Sequence, residues 1–146
     1  AQTHATQSSL FYAGIFDVSQ TKGSKPILQA TIVGGTFAAC LARSTPRAVT
    51  RAAAGGPLAE PFLLVAKRKK TKRVVRRLWG NGKGDFRTAG KRSSATVRGT
   101  WWLVEDRCDG TLTRVRVGRV DVRDVRLKKT IHLRAGKRSL YLAKAP

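Results

Sequence analysis

Methionine is absent from this chain, cysteine and histidine occur twice each, and only eight of the 146 residues are acidic. Each scarcity narrows the chemistry. Cys40 and Cys108 lie far apart, with no Cys-x-x-Cys or Cys/His pattern around them, so a zinc site is not expected. A Cys40–Cys108 disulfide or two buried thiols remain. A disulfide places the protein outside the reducing cytosol. In the chain-entropy account, a bridge closing so long a loop stabilises by about 4 kcal/mol.

Of the two histidines, His4 sits in the polar start of the chain and His132 between Ile131 and Leu133. A Ser/His/acid triad would have to use His132, but its strand-like neighbours point that imidazole to solvent. No catalytic residue, cofactor or metal site is expected. No apolar run reaches 18 residues, so no transmembrane helix is expected either. The chain begins Ala1-Gln2-Thr3, a start that fits a mature exported protein and equally a chain that has lost an initiator methionine.

What the chain does have is positive charge. Thirty Lys and Arg give a formal charge of +22 and a sequence pI near 11.6. A polyanionic partner is the first implication: nucleic acid, an acidic envelope polymer or an anionic membrane surface. A solvated basic surface is the plainer alternative. Placement is uneven: residues 1–42 hold only Lys22 and Lys25 against Asp17, whereas residues 67–77 hold eight cations and no anion. Those eight, Lys67, Arg68, Lys69, Lys70, Lys72, Arg73, Arg76 and Arg77, are the candidate polyanion-binding residues. Five acids fall at Glu105, Asp106, Asp109, Asp121 and Asp124, where they can offset arginines across strands. The group Glu105, Asp106 and Asp109 has the oxygen ligands that suit Ca²⁺, but with Arg107 in its midst ion pairing is the favoured reading.

Apolar residues recur with period two, the signature of half-buried strands. Strands are expected at Leu10–Val18, Ile27–Val33, Thr36–Ala39, Phe62–Ala66, Val74–Trp79, Ser94–Asp106, Thr111–Val117, Val120–Leu127, Thr130–Arg134 and Ser139–Ala143. Between them, Pro46, Pro57 and Pro61 mark an irregular connection with one helical turn near Ala48–Ala54. Gly80–Gly84 reads as a hairpin turn, because it lacks the Gly-Lys-Ser/Thr ending of a phosphate loop. Strand spacing near ten residues indicates an all-β, antiparallel β-sandwich or β-roll. The expected organisation is a single domain, with residues 1–20 an N-terminal extension and 21–146 the sandwich. Adjacent Trp101 and Trp102 must face opposite sides, one into the core and one outward beside Arg98. The outward tryptophan and Trp79 are candidates for stacking or for a subunit contact.

Thr96-Val-Arg-Gly-Thr100 with Trp101-Trp102, Thr111-Leu-Thr-Arg-Val115, Gly118-Arg-Val-Asp-Val122 and Leu133-Arg-Ala-Gly136 before Tyr141-Leu142 resemble a FecR-like β-module of actinobacterial secreted and envelope proteins. Val75–Thr88 and Asp106–Thr111 are similar to its actinobacterial variety, and the resemblance covers about residues 72–143. It implies an antiparallel β fold, an exported or cell-surface location and no catalysis. FecR proteins proper are membrane-anchored signal relays. This sequence shows neither their transmembrane helix nor their cytoplasmic segment, so only the module is carried over.

Two functions follow as expectations. The first is a non-enzymatic subunit of an extracellular filament or cell-surface assembly, with the apolar, weakly charged start of the chain forming strand contacts to another copy. Its assembly residues are Leu10, Phe11, Tyr12, Ile15, Phe16 and Val18. The alternative is a module binding DNA or an acidic envelope polymer without reading sequence.

Overall fold

The computed structural model describes residues 7–41 and 70–146. His4, the connection containing the three prolines, the strand Phe62–Ala66 and the cations Lys67, Arg68 and Lys69 lie outside the described residues. Among those described, the fold is all-β with one four-residue helix. The strands are β1 (Ser8–Tyr12), β2 (Ile15–Gln20), β3 (Leu28–Val33), β4 (Val74–Ala89), β5 (Ser93–Arg107), β6 (Gly110–Val117), β7 (Arg119–Asp124), β8 (Lys129–Arg134) and β9 (Leu140–Lys144); the helix is α1 (Ala38–Leu41).

The strands make one open mixed sheet. Its spine is the long β4–β5 hairpin. On the β4 side, β1 pairs with Trp79–Lys83 and β3 with Phe86–Ala89, while β2 lies outside β3. On the β5 side, Ser93–Val97 pairs with β7 and Trp101–Arg107 with β6. Strand β8 extends β7, and β9 extends β6. The β3–β4 pair is parallel, the one departure from the antiparallel expectation among the described pairs. A parallel pair needs a crossover connection of a dozen or more residues, and the chain between Val33 and Val74 supplies it.

A flat sheet of this order would leave one face bare, and side-chain contacts show that it does not stay flat. Trp102 pairs with Gly80, and a straight strand would set Thr88 about 26 Å from Gly80. The Trp102 indole nevertheless donates to Thr88 Oγ1 at 3.0 Å. At the hairpin tip the Lys91 N–H reaches Asp106 Oδ1, at the opposite end of β5, at 2.8 Å. The hairpin is therefore bent over on itself, and the open sheet folds into two layers. The register shifts between Gly82 and Asp85 in β4, where Gly84 has φ 122°, a conformation that strains any side chain.

Between the layers lie Trp102, Phe86, Leu78, Ile32, Val97, Val104, Val115, Val120, Val122 and Leu133. Strand alternation put them there: Leu133 is buried and its neighbours His132 and Arg134 are exposed, and Val115 is buried beside exposed Arg116. Trp102 is fully buried while Trp101 faces out, as expected for consecutive strand residues. Phe11 and Phe16 complete this core, with ring centroids 5.3 Å apart. Phe11 also meets Phe86 and Trp102 edge-on.

Three local expectations are corrected. Leu10–Val18 is two strands, because the chain passes from one layer to the other at Ala13, whose φ is 63°. Thr36–Ala39 does not continue a strand: Thr36 Oγ1 accepts from the Ala38 N–H at 3.2 Å and starts α1. Gly80–Gly84 is not a hairpin turn but the middle of β4. A Cβ on Gly80 would overlap the Trp102 ring, so glycine is needed there to seat an indole. The true turn is at Gly90–Arg92, where the Gly90 N–H bonds the Ser93 carbonyl at 2.9 Å.

Helix α1 presents Cys40 to Cys108 at the end of β5, and the two form a disulfide with a Cα–Cα distance of 5.4 Å. No free cysteine is present among the described residues.

Candidate functional site

The six assembly residues divide by face. Phe11 and Phe16 pack against the core, whereas Leu10, Tyr12, Ile15 and Val18 are exposed. Strand β1 is paired within its own chain, to β4, and β2 to β3. Strand β2 ends the sheet, so one of its edges carries unpaired backbone N–H and C=O groups among the described residues.

Of the eight basic candidates, five are described. Lys70, Lys72, Arg73 and Arg77 are exposed. Arg76 is engaged differently: its Nε donates to the buried Asp106 carboxylate at 2.7 Å. Its guanidinium also reaches the Gly34 carbonyl and lies over the Phe37 ring, 5.4 Å from the centroid. Lys91 Nζ sits 3.8 Å from the centre of that ring. Asp106 accepts further bonds from the Lys91 N–H and Thr111 Oγ1. Arg76 thus locks the bent hairpin to the loop that carries the disulfide.

Asp109, Asp121 and Asp124 are likewise held by local partners. Asp109 takes a bidentate bond from Arg107 at 2.9 and 2.8 Å. Ion pairing therefore accounts for Asp106 and Asp109, and no cluster of three or more ligand-type side chains exists among the described residues. His132 Nδ1 lies 2.6 Å from Asp121 Oδ1 on the exposed face of β7 and β8.

Asp124 and Tyr141 form a further polar contact between elements, partly buried. Burial pushes the Asp124 pKa up, but N–H bonds from Leu127 and Arg126, the Tyr141 hydroxyl and the charge of Lys129 outweigh it, and the net is below the usual aspartate value. The Tyr141 phenol, which donates to Asp124 Oδ2 at 2.8 Å, is pushed up to about 12 by burial and by that neighbouring carboxylate.

On the outer face an aromatic shelf crosses β1, β4 and β5. Tyr12 and Trp79 are cross-strand partners with rings 7° from parallel and centroids 6.2 Å apart. Trp101 tilts against Trp79 at 5.6 Å, and its indole N–H donates to the Tyr12 hydroxyl at 2.9 Å. One bulge completes it: Trp101 and Trp102 oppose Val117 and Val115, so Arg116 is the extra residue. The Arg116 guanidinium lies 5.9 Å from the Trp79 ring centre. Trp79 and Trp101 were legible as candidates from composition. Tyr12 and Arg116 were not, because only cross-strand register brings them in.

Comparisons with protein-family models, with curated proteins and with solved structures return no match. The disulfide, together with the absence of a membrane-crossing helix among the described residues, is compatible with an extracellular location.

Proposed function

We propose that this chain is a non-enzymatic subunit of an extracellular filament or cell-surface assembly, joined to its neighbour through the open edge of β2 and the exposed apolar side chains of β1 and β2. One observation carries the reading: among the described residues, four of the ten exposed large apolar side chains fall between Leu10 and Val18. They are Leu10 (65% exposed), Tyr12 (38%), Ile15 (70%) and Val18 (56%). Proteins that stay single blunt a sheet edge with lysine, proline or a cover. Strand β2 carries only Asp17 as a charge and has no proline. Edge pairing gives main-chain hydrogen bonds without a pocket. The FecR-like resemblance of residues 72–143 supports an exported module that works by contact.

Deleting residues 1–20 is a poor test, since it also removes Phe11 and Phe16 from the core. Ile15→Lys with Val18→Lys charges the edge and spares the interior. Sedimentation and electron microscopy should show oligomers or filaments for the native chain and monomers for the variant. A native chain that stays monomeric at high concentration, or a variant that assembles equally well, sinks the proposal.

A second reading, sequence-independent binding of a polyanion, is favoured by the +22 charge and by the exposure of Lys70, Lys72, Arg73 and Arg77. Its test is a titration with oligonucleotide and with an acidic envelope polymer at about 50 mM salt, where phosphate-driven binding is strong. Absence of binding under those conditions removes it.

A further inference from the structure

Val97, Val120 and Leu133 are buried partners in register across β5, β7 and β8. One step beyond them lie Arg98, Arg119 and Arg134, which the pleat sends to the outer face. Arg119 and Arg134 are direct cross-strand partners. With strands about 4.8 Å apart, three cations occupy a row about 10 Å long. Like charges placed opposite one another destabilise a sheet.

Local compensation is slight. Asp121, on the neighbouring row, is engaged by His132. Asp85 lies 3.7 Å from Arg98 Nε in a pair whose members are both largely exposed, an arrangement that contributes little. The row lines a depression of about 540 Å³, with Thr96, Asp121 and His132 among its walls. A second depression of about 790 Å³ shares Thr96 and Arg98 with the first and runs on to Gln20 and Lys25. The two form one trough across the sheet, with Arg98 at its waist.

We infer that this trough binds a linear phosphodiester polymer, its phosphates seated on Arg98, Arg119 and Arg134; the inference rests on the polyanion-binding reading. Guanidinium groups present a fork of N–H donors that matches phosphate oxygens in pairs, and the bound charge relieves the repulsion within the row. A trough shared between two depressions suits a chain better than a compact ligand. Thr96 and the His132 ring add hydrogen-bonding groups along the walls. A nucleic-acid backbone and a polyol-phosphate envelope polymer share this chemistry.

The test uses the full chain, a labelled oligothymidylate, a poly(glycerol phosphate) and, as a carboxylate control, polyglutamate. Two variants with equal charge loss are compared: Arg98→Gln/Arg119→Gln/Arg134→Gln and Lys70→Gln/Lys72→Gln/Arg73→Gln. Binding to phosphate polymers at about 50 mM salt should weaken at least 10-fold in the trough variant, and its log–log salt slope should fall by about 2. The lysine-run variant should lose much less. Tighter binding of one phosphate polymer than the other supports the inference and identifies the source. If the native chain binds and the two variants weaken alike, the trough is the wrong site while the polyanion reading stands. If the native chain binds neither phosphate polymer, both fall. Polyglutamate binding as tightly as the phosphate polymers overturns the phosphate assignment.

Discussion

The Trp102 indole N–H donates to Thr88 Oγ1 across the interior, and this single bond ties together two regions of the β4–β5 hairpin that a flat sheet would hold far apart. It joins the largest buried side chain to a buried hydroxyl. We expect Trp102→Ala to destabilise by about 3–5 kcal/mol, from lost burial plus a cavity. Thr88→Val should cost about 1–3 kcal/mol by leaving the indole donor unpaired. Urea unfolding followed by tryptophan fluorescence measures both. A Thr88→Val variant with native stability would show that the bond contributes nothing.

The Cys40–Cys108 bridge spans 68 positions and crosses the segment between β3 and β4. A loop of that length corresponds to about 4 kcal/mol in the chain-entropy account. Reduction, or Cys40→Ser with Cys108→Ser, should lower stability by about 2–5 kcal/mol. Thermal melts with and without reductant, together with a gel shift on reduction, check it. Identical melts would remove the bridge from any stabilising role.

Asp106 is fully buried and held by Arg76, the Lys91 N–H and Thr111. Arg76→Met leaves a carboxylate without its cation and should cost about 3–5 kcal/mol. The double variant Arg76→Met/Asp106→Leu removes the stranded charge and should recover part of that loss. A double variant no better than the single would show that packing at Arg76, rather than its charge, is what matters.

Asp124 and Tyr141 set opposite pH limits. The Asp124 pKa is lowered in the folded state, so its contribution is present above the ordinary aspartate range and is lost as pH falls through the folded value. The Tyr141 pKa is raised, to about 12; its contribution is complete below the ordinary tyrosine value near 10 and is lost as pH rises from there towards 12. Tyr141→Phe should flatten the alkaline loss, and absorbance titration should show one tyrosine ionising near 12. Ionisation of Tyr141 near 10 would refute the contact.

Much of the architecture was legible in residue order. Alternation sets Thr113, Val115 and Val117 on one face of β6 against Leu112, Arg114 and Arg116, and Ile131 and Leu133 against His132 and Arg134; Thr113, Val115 and Leu133 are buried and Ile131 half-buried, but Val117 is exposed beyond the bulge at Arg116 and Leu112 is buried. The Asp109-Gly110 and Gly118 turns fall where the dipeptides indicate, and Lys128 takes φ 52° at the β7–β8 turn. Local rules failed where a distant partner decided the outcome. Gly80–Gly84 looked like a turn because its glycines permit one, yet they serve a close approach by Trp102 and a bulge. Arg76 read as one more surface cation because Asp106, 30 positions away, was not visible as its partner.

By itself the amino-acid order settled the class of fold, the excess of positive charge, the apolar side of strands such as β7 and β8, and, with two cysteines present, the only intramolecular disulfide possible. Those properties depend on period-two alternation and on composition, which act within a few residues. Tertiary structure alone decided the parallel β3–β4 pair, the doubling over of the hairpin, the Tyr12–Trp79–Trp101 shelf and the row of Arg98, Arg119 and Arg134. Each is a matter of register between strands far apart in the chain, and a slip of one residue would turn every side chain of a strand to the other face.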